Sequence, residues 1–98
     1  MTQRIIQVVV SGRVQGVGYR AWTAREAYRL GLKGWVRNRS DGTVEAVFAG
    51  DADPVAAMAE CLLRGPHGCR VTGVNAHEAG EDALAPAFGA GFVVLPTK

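Results

Sequence analysis

No run in this sequence approaches the about 18–20 apolar residues that a membrane-spanning helix needs. Its start, Met1-Thr2-Gln3-Arg4, carries no signal-type apolar segment and leads straight into a strand-like run. A cytosolic location and no membrane partner are therefore expected. Cysteine is scarce. Cys61 and Cys69 are the only two, they form no CxxC, and neither is spaced with a histidine as zinc ligands are. Two inert thiols are expected, rather than a disulfide or a metal site. His67 and His77 are the only histidines and stand apart from any glycine-rich loop, as surface residues would. Ser11 and Ser40 have no serine–histidine arrangement around them, so no catalytic serine is expected.

What is present is unevenly placed. The net charge is only +2. Residues 1–50 carry eight Lys/Arg against three Asp/Glu, while residues 51–98 carry three against six. The first half therefore has the field that draws in an anion. Nine of the eleven basic residues are arginine, whose planar fork suits phosphate. Hydrophobic residues make up 48 % and charged residues 20 % of 98, a globular mix in one expected domain, 1–98. A chain this size buries about 60–65 % of its unfolded surface, enough for one modest core.

The β-branched run Ile5-Ile6-Gln7-Val8-Val9-Val10 predicts a strand over 4–11. Gly12–Gly18, with three glycines in seven residues, reads as a loop. A helix follows over 21–30, with Ala21, Ala24, Ala27 and Tyr28 on its apolar side and Trp22, Arg25, Glu26 and Arg29 on its polar side. Gly31 ends it. A second strand spans 32–37, with Trp35 packed on the sheet. Arg39-Ser40-Asp41-Gly42 is a hairpin turn, and 43–49 alternates with Val44, Ala46 and Phe48 on one face. Asp53 as N-cap and Pro54 in the first turn open a helix that runs to Arg64. Its buried stripe is Val55, Met58, Ala59 and Leu62. A strand over 70–78, a Gly- and Ala-rich loop over 79–91 and a short strand over 92–95 complete the chain.

The order βαββαβ is the ferredoxin-like plan, an α+β sandwich with two helices on one face of an antiparallel sheet. In that plan the first and second strands run parallel with the third between them, two strand spacings or about 10 Å apart. The glycine-rich loop leaves the first strand, and Asn38 leaves the second, at the same edge. A long side chain from the loop can then share a small substrate with Asn38.

The loop runs Gly12-Arg13-Val14-Gln15-Gly16-Val17-Gly18-Tyr19-Arg20 and opens a helix. Glycines let successive N–H groups turn around an anion. The helix N-terminus adds free N–H groups and partial positive charge. Arg20 there opposes the helix dipole by about 0.3–1 kcal/mol, which a bound anion offsets. Phosphate or sulfate in Gln15–Arg20 is the expected occupant; a plain strand-to-helix loop with an exposed arginine is the alternative. An ATP-binding P-loop would end in Gly-Lys-Ser/Thr, where this loop has Gly-Tyr-Arg. Gly16-Val17-Gly18-Tyr19-Arg20-Ala21 fits the loose GxGxxA dinucleotide fingerprint, but the chain is too short and the strand–helix alternation does not follow. A cysteine phosphatase needs an arginine one short loop beyond its cysteine, and His67 and Asn75 stand at those positions.

This loop resembles the first signature of the acylphosphatases. Gly34-Trp35-Val36-Arg37-Asn38, then Asp41-Gly42-Thr43-Val44-Glu45 and Gly50, resembles the second. The likeness is strong from Ile5 to Arg70 and weak after Glu78. It implies the ferredoxin-like fold and hydrolysis of a carboxylic–phosphoric anhydride, with no cofactor. It assigns Arg20 as the phosphate-binding arginine and Asn38 as the residue positioning the attacking water. Gln15, Gly16, Val17, Gly18 and Tyr19 become the N–H cradle. Gly18 stands where the family often has a bulky residue. An acyl phosphate has a good leaving group, so positioning and charge stabilisation can supply most of the rate. Neither motif offers a plausible histidine or carboxylate base, so the substrate's phosphate is expected to take the water proton. The implied partner is a small acyl phosphate, and a monomer is expected. An RNA-recognition domain shares the element order, but its aromatic strand residues are missing, so no nucleic acid is expected. A catalytically idle anion-binding module of the same fold is the remaining alternative. Arg13, Arg37 and Arg39 can steer anions towards the loop or be solvated surface charges.

Overall fold

The computed structural model describes residues 3–87, 89 and 91–98. Met1 and Thr2 of the expected lead-in, and positions 88 and 90 of the expected 79–91 loop, lie outside them. The elements are β1 (Gln3–Arg13), α1 (Tyr19–Arg29), β2 (Lys33–Asn38), β3 (Val44–Asp51), α2 (Ala52–Arg64), β4 (Arg70–Glu78), a 3-10 helix (Glu81–Ala87) and β5 (Phe92–Val94). They form one five-stranded sheet in the order β4-β1-β3-β2-β5. The first four strands pair antiparallel, as the ferredoxin-like plan requires, whereas β5 joins β2 in parallel. The sheet is therefore mixed rather than wholly antiparallel.

Period-two alternation decides the two faces. Ile6, Val8 and Val10 of β1, Val36 of β2 and Val44, Ala46 and Phe48 of β3 form one core with Tyr19, Ala27, Val55, Met58 and Leu62 from the helices. Trp35 and Val47 point the other way and pack with Ala87. The 3-10 helix closes that second face. The Trp35 indole donates to the Ala83 carbonyl at 2.7 Å, so the segment expected as a loop is an ordered lid on a buried aromatic. Its Gly/Ala composition concealed this, because the packing partner lies about fifty residues upstream. On the same face Arg37 pairs with Glu45 at 2.9 Å and stacks 4.6 Å over the Trp35 ring. Burial opposes the Glu45 charge, but the Arg37 and Gln7 side chains outweigh it and hold the carboxyl below its usual range.

Three local expectations need correction. Strand β1 continues through Gly12 and Arg13, past a bulge at Ser11/Gly12. Helix α1 starts at Tyr19 and buries Tyr19, Thr23 and Ala27. Tyr28, expected inside, is 83 % exposed, while Trp22, expected on the polar side, packs against the core beside Tyr19. The Thr23 hydroxyl is satisfied by the Tyr19 carbonyl at 2.8 Å, which removes the cost of burying it. Helix α2 has Asp51, not Asp53, as N-cap. Asp53 instead sits in the first turn, where a carboxylate favours the helix dipole. Cys61 joins the buried stripe with Val55, Met58 and Leu62, while Ala59 is only partly buried.

The end of α1 follows the Schellman pattern: Leu32 N–H donates to the Ala27 carbonyl and Gly31 N–H to that of Tyr28. Gly34 in β2 has φ +138°, and a methyl group there would be driven into the Val47 carbonyl of the neighbouring strand. Backbone strain and overpacking then add. Gly34→Ala is expected to cost about 3 kcal/mol. Thermal unfolding should show this as a fall in Tm of more than about 10 °C.

Candidate active site

Between β1 and α1 the chain passes through Val14–Gly18. Gly16 and Gly18 take φ of +76° and +81°, left-handed values that residues with a Cβ seldom adopt. Gly18 is the N-cap of α1, so no side chain caps the helix, and its first turn holds no acidic residue. The first helical bond runs from Trp22 N–H to the Gly18 carbonyl at 3.0 Å. The amides of Tyr19, Arg20 and Ala21 thus precede the ladder at the positive end of the helix dipole.

This end opens on a concavity of about 250 Å³. Its polar lining is Gly16, Gly18, Tyr19 and Arg20 from the loop and helix, with Asn38 from the end of β2. Its apolar lining is Val14, Ala21 and Val94. Among the described residues Arg20 brings the only charge, and no carboxylate, histidine or cysteine lines it. The Arg20 side chain has one long contact, Nη1 to the Leu95 carbonyl at 3.5 Å, leaving most of its donors uncommitted. Asn38 lies two residues beyond Val36 and hence on the helix face. Its Oδ1 is buried and without a hydrogen-bond partner among the described residues. A buried acceptor left unpaired costs about 1–3 kcal/mol.

Gln15 and Val17 do not line the cavity, and their side chains, like that of Tyr19, are engaged elsewhere in the fold. The Gln15 amide donates to the carbonyls of Arg39 and Thr43 at 2.8 and 2.9 Å, tying the loop to the β2–β3 turn. Val17 packs against the core. Tyr19 is buried, with its hydroxyl donating to the Leu62 carbonyl at 2.8 Å. Burial, with the Cys69 thiol beside it, pushes its phenol far up. From Gln15, Val17 and Tyr19, then, only the backbone is free to serve a ligand. Arg37 faces the opposite side of the sheet, paired with Glu45. His67 and His77 are exposed.

Val94 and the Leu95 carbonyl at this site did not follow from the motifs. The available signal was the alternation of Phe92 and Val94. With β5 parallel to β2 and Val94 opposite Val36, Val94 sits on the helix face, beside the first turn of α1.

A family model, Acylphosphatase, matches residues 6–90. The chain is 51 % identical over 98 residues to an acylphosphatase of Bradyrhizobium diazoefficiens, covering 99 % of each. The solved acylphosphatase of Coxiella burnetii is similar with a TM-score of 0.85 and 38 % identity, over 95 % of this chain and 93 % of that one. The acylphosphatase of Bacillus subtilis gives 0.83 and 30 %, over 96 % and 99 %. Fold, loop and full-length likeness agree, and the chain belongs to the acylphosphatase family, hydrolases acting on acid anhydrides.

Proposed function

We propose that Arg20 and the Gln15–Arg20 loop hold the phosphate of a small acyl phosphate while Asn38 positions the attacking water, with no metal. The observation that carries this is one cavity shared by Arg20, the uncapped start of α1 and Asn38. Two guanidinium donors and successive amides match the equatorial oxygens of a phosphoryl group. The unpartnered Asn38 Oδ1 supplies an acceptor for a water O–H. The water oxygen bonds to phosphorus as the bond from phosphorus to the acyl oxygen breaks. The electron pair leaves with the carboxylate, and the water proton passes to a phosphate oxygen, since no side-chain base lines the cavity. A lining with one arginine and no carboxylate suits an anion and offers a divalent cation no ligand set.

The same reading takes residues 1–98 as one domain, since every described strand joins one sheet. It takes the protein as a monomer, because loop, arginine and asparagine come from one chain. It places the protein in the cytoplasm, where the free thiols of Cys61 and Cys69 are at home.

Hydrolysis of benzoyl phosphate in EDTA tests the chemistry. Turnover equal to that without chelator is expected, with inorganic phosphate as a competitive product inhibitor. A folded protein without turnover in either buffer would leave an idle anion-binding module as the better account.

A further inference from the structure

The cavity lining is of two kinds. The loop amides, Arg20 and Asn38 are polar. Ala21, the exposed residue after Arg20, Val94 and the buried Val14 are apolar. Val94 is one of three large apolar side chains that stay exposed among the described residues, at 48 %. Its position is built rather than accidental. Phe92, two residues earlier on the same face, stacks on Phe48 with ring centroids 5.5 Å apart. The Leu95 N–H, one residue later, is held by the Val36 carbonyl at 2.9 Å. The side chain between these anchors is therefore fixed at the rim, beside the residues that carry the charge.

A water molecule takes about 30 Å³ of liquid. A cavity of about 250 Å³ thus has room for several atoms beyond a phosphoryl group. Those atoms belong to the acyl part of the substrate. Apart from Arg20 and Asn38, the side chains around them are apolar.

We infer that Val94, with Ala21, forms the wall against which the acyl group lies, so that aromatic or branched acyl phosphates are favoured over acetyl-sized ones. This rests on the placement of phosphate at Arg20 proposed above. The phosphate fixes one end of the substrate, and desolvation of the other end against Val94 adds binding that scales with apolar area.

The test compares benzoyl phosphate with acetyl phosphate in the wild type, Val94→Thr and Val94→Leu. Threonine keeps the shape and strand preference of valine and adds a hydroxyl. The ratio of kcat/KM for benzoyl over acetyl phosphate is expected to fall about 5–10-fold in Val94→Thr, carried by KM, since a half-exposed contact lies at the low end of pocket discrimination. In Val94→Leu the ratio should equal or exceed that of the wild type. An unchanged ratio in Val94→Thr, whether both substrates suffer equally or neither does, overturns the inference. So does a lowered ratio in Val94→Leu. The underlying placement of phosphate fails separately. In that case inorganic phosphate would not compete with either substrate in the wild type, and both readings fall together.

Discussion

Arg20→Ala should lower kcat/KM for benzoyl phosphate by about 10³-fold or more while the protein stays folded. The size follows from what is removed, a bidentate cation aimed at a phosphoryl group whose charge is redistributed in the transition state. The stability of the variant should not suffer. Arg20 makes one side-chain hydrogen bond among the described residues, 3.5 Å to the Leu95 carbonyl, and it stands at the positive end of α1. Removing it relieves about 0.3–1 kcal/mol of repulsion. The variant is therefore expected to melt at or slightly above the wild-type temperature, and to lose the rise in Tm that phosphate gives the wild type. Arg20→Lys should recover only part of the activity, because an ammonium cannot grip two oxygens at once. Retention of a tenth or more of wild-type activity in Arg20→Ala would overturn the role of Arg20.

Asn38→Ala is expected to cost about 10²–10³-fold in kcat, with KM little changed, because the group acts on water rather than on the phosphate. Here too stability and activity should part. Asn38 Oδ1 is buried without a hydrogen-bond partner among the described residues, so its removal breaks no side-chain bond of the fold that involves this atom. Chemical denaturation is the check, with an unfolding free energy close to that of the wild type. A wild-type kcat in Asn38→Ala would remove the residue from the mechanism. A marked loss of stability would recast it as structural.

The strands and the meeting of two distant segments were legible because they depend on strong patterns. The alternation in 43–49 and the run Ile5–Val10 have no competing period. The Asp41-Gly42 turn is held as its chemistry suggests, with Thr43 N–H donating to Asp41 Oδ1 at 3.0 Å. Once β3 lies between β1 and β2, the loop and Asn38 can only emerge at one edge. What stayed hidden depends on tertiary contacts. The inward face of α1 was misread because small alanines mark no side strongly. A buried threonine bonded to its own helix looks polar in the sequence and behaves as core. The 3-10 helix is ordered by Trp35, which no local propensity in 81–87 reveals. Gln15 was expected to serve through its backbone N–H alone. What its side chain does, donating to the carbonyls of Arg39 and Thr43, is visible only when the β2–β3 turn is in place.

The sheet order has a consequence for how the enzyme comes into being. β1 and β2 precede β3 in the chain, yet β3 is the strand that separates them. The nascent chain cannot set the loop and Asn38 at their working distance by pairing its first two strands with each other. Both must wait for the third, and each pairing with it closes a stretch of intervening chain before any contact rewards it. Half-assembled forms of the sheet therefore carry arginine and asparagine but no shared cavity, and catalysis should appear late in refolding, in step with the completed sheet rather than with the helices.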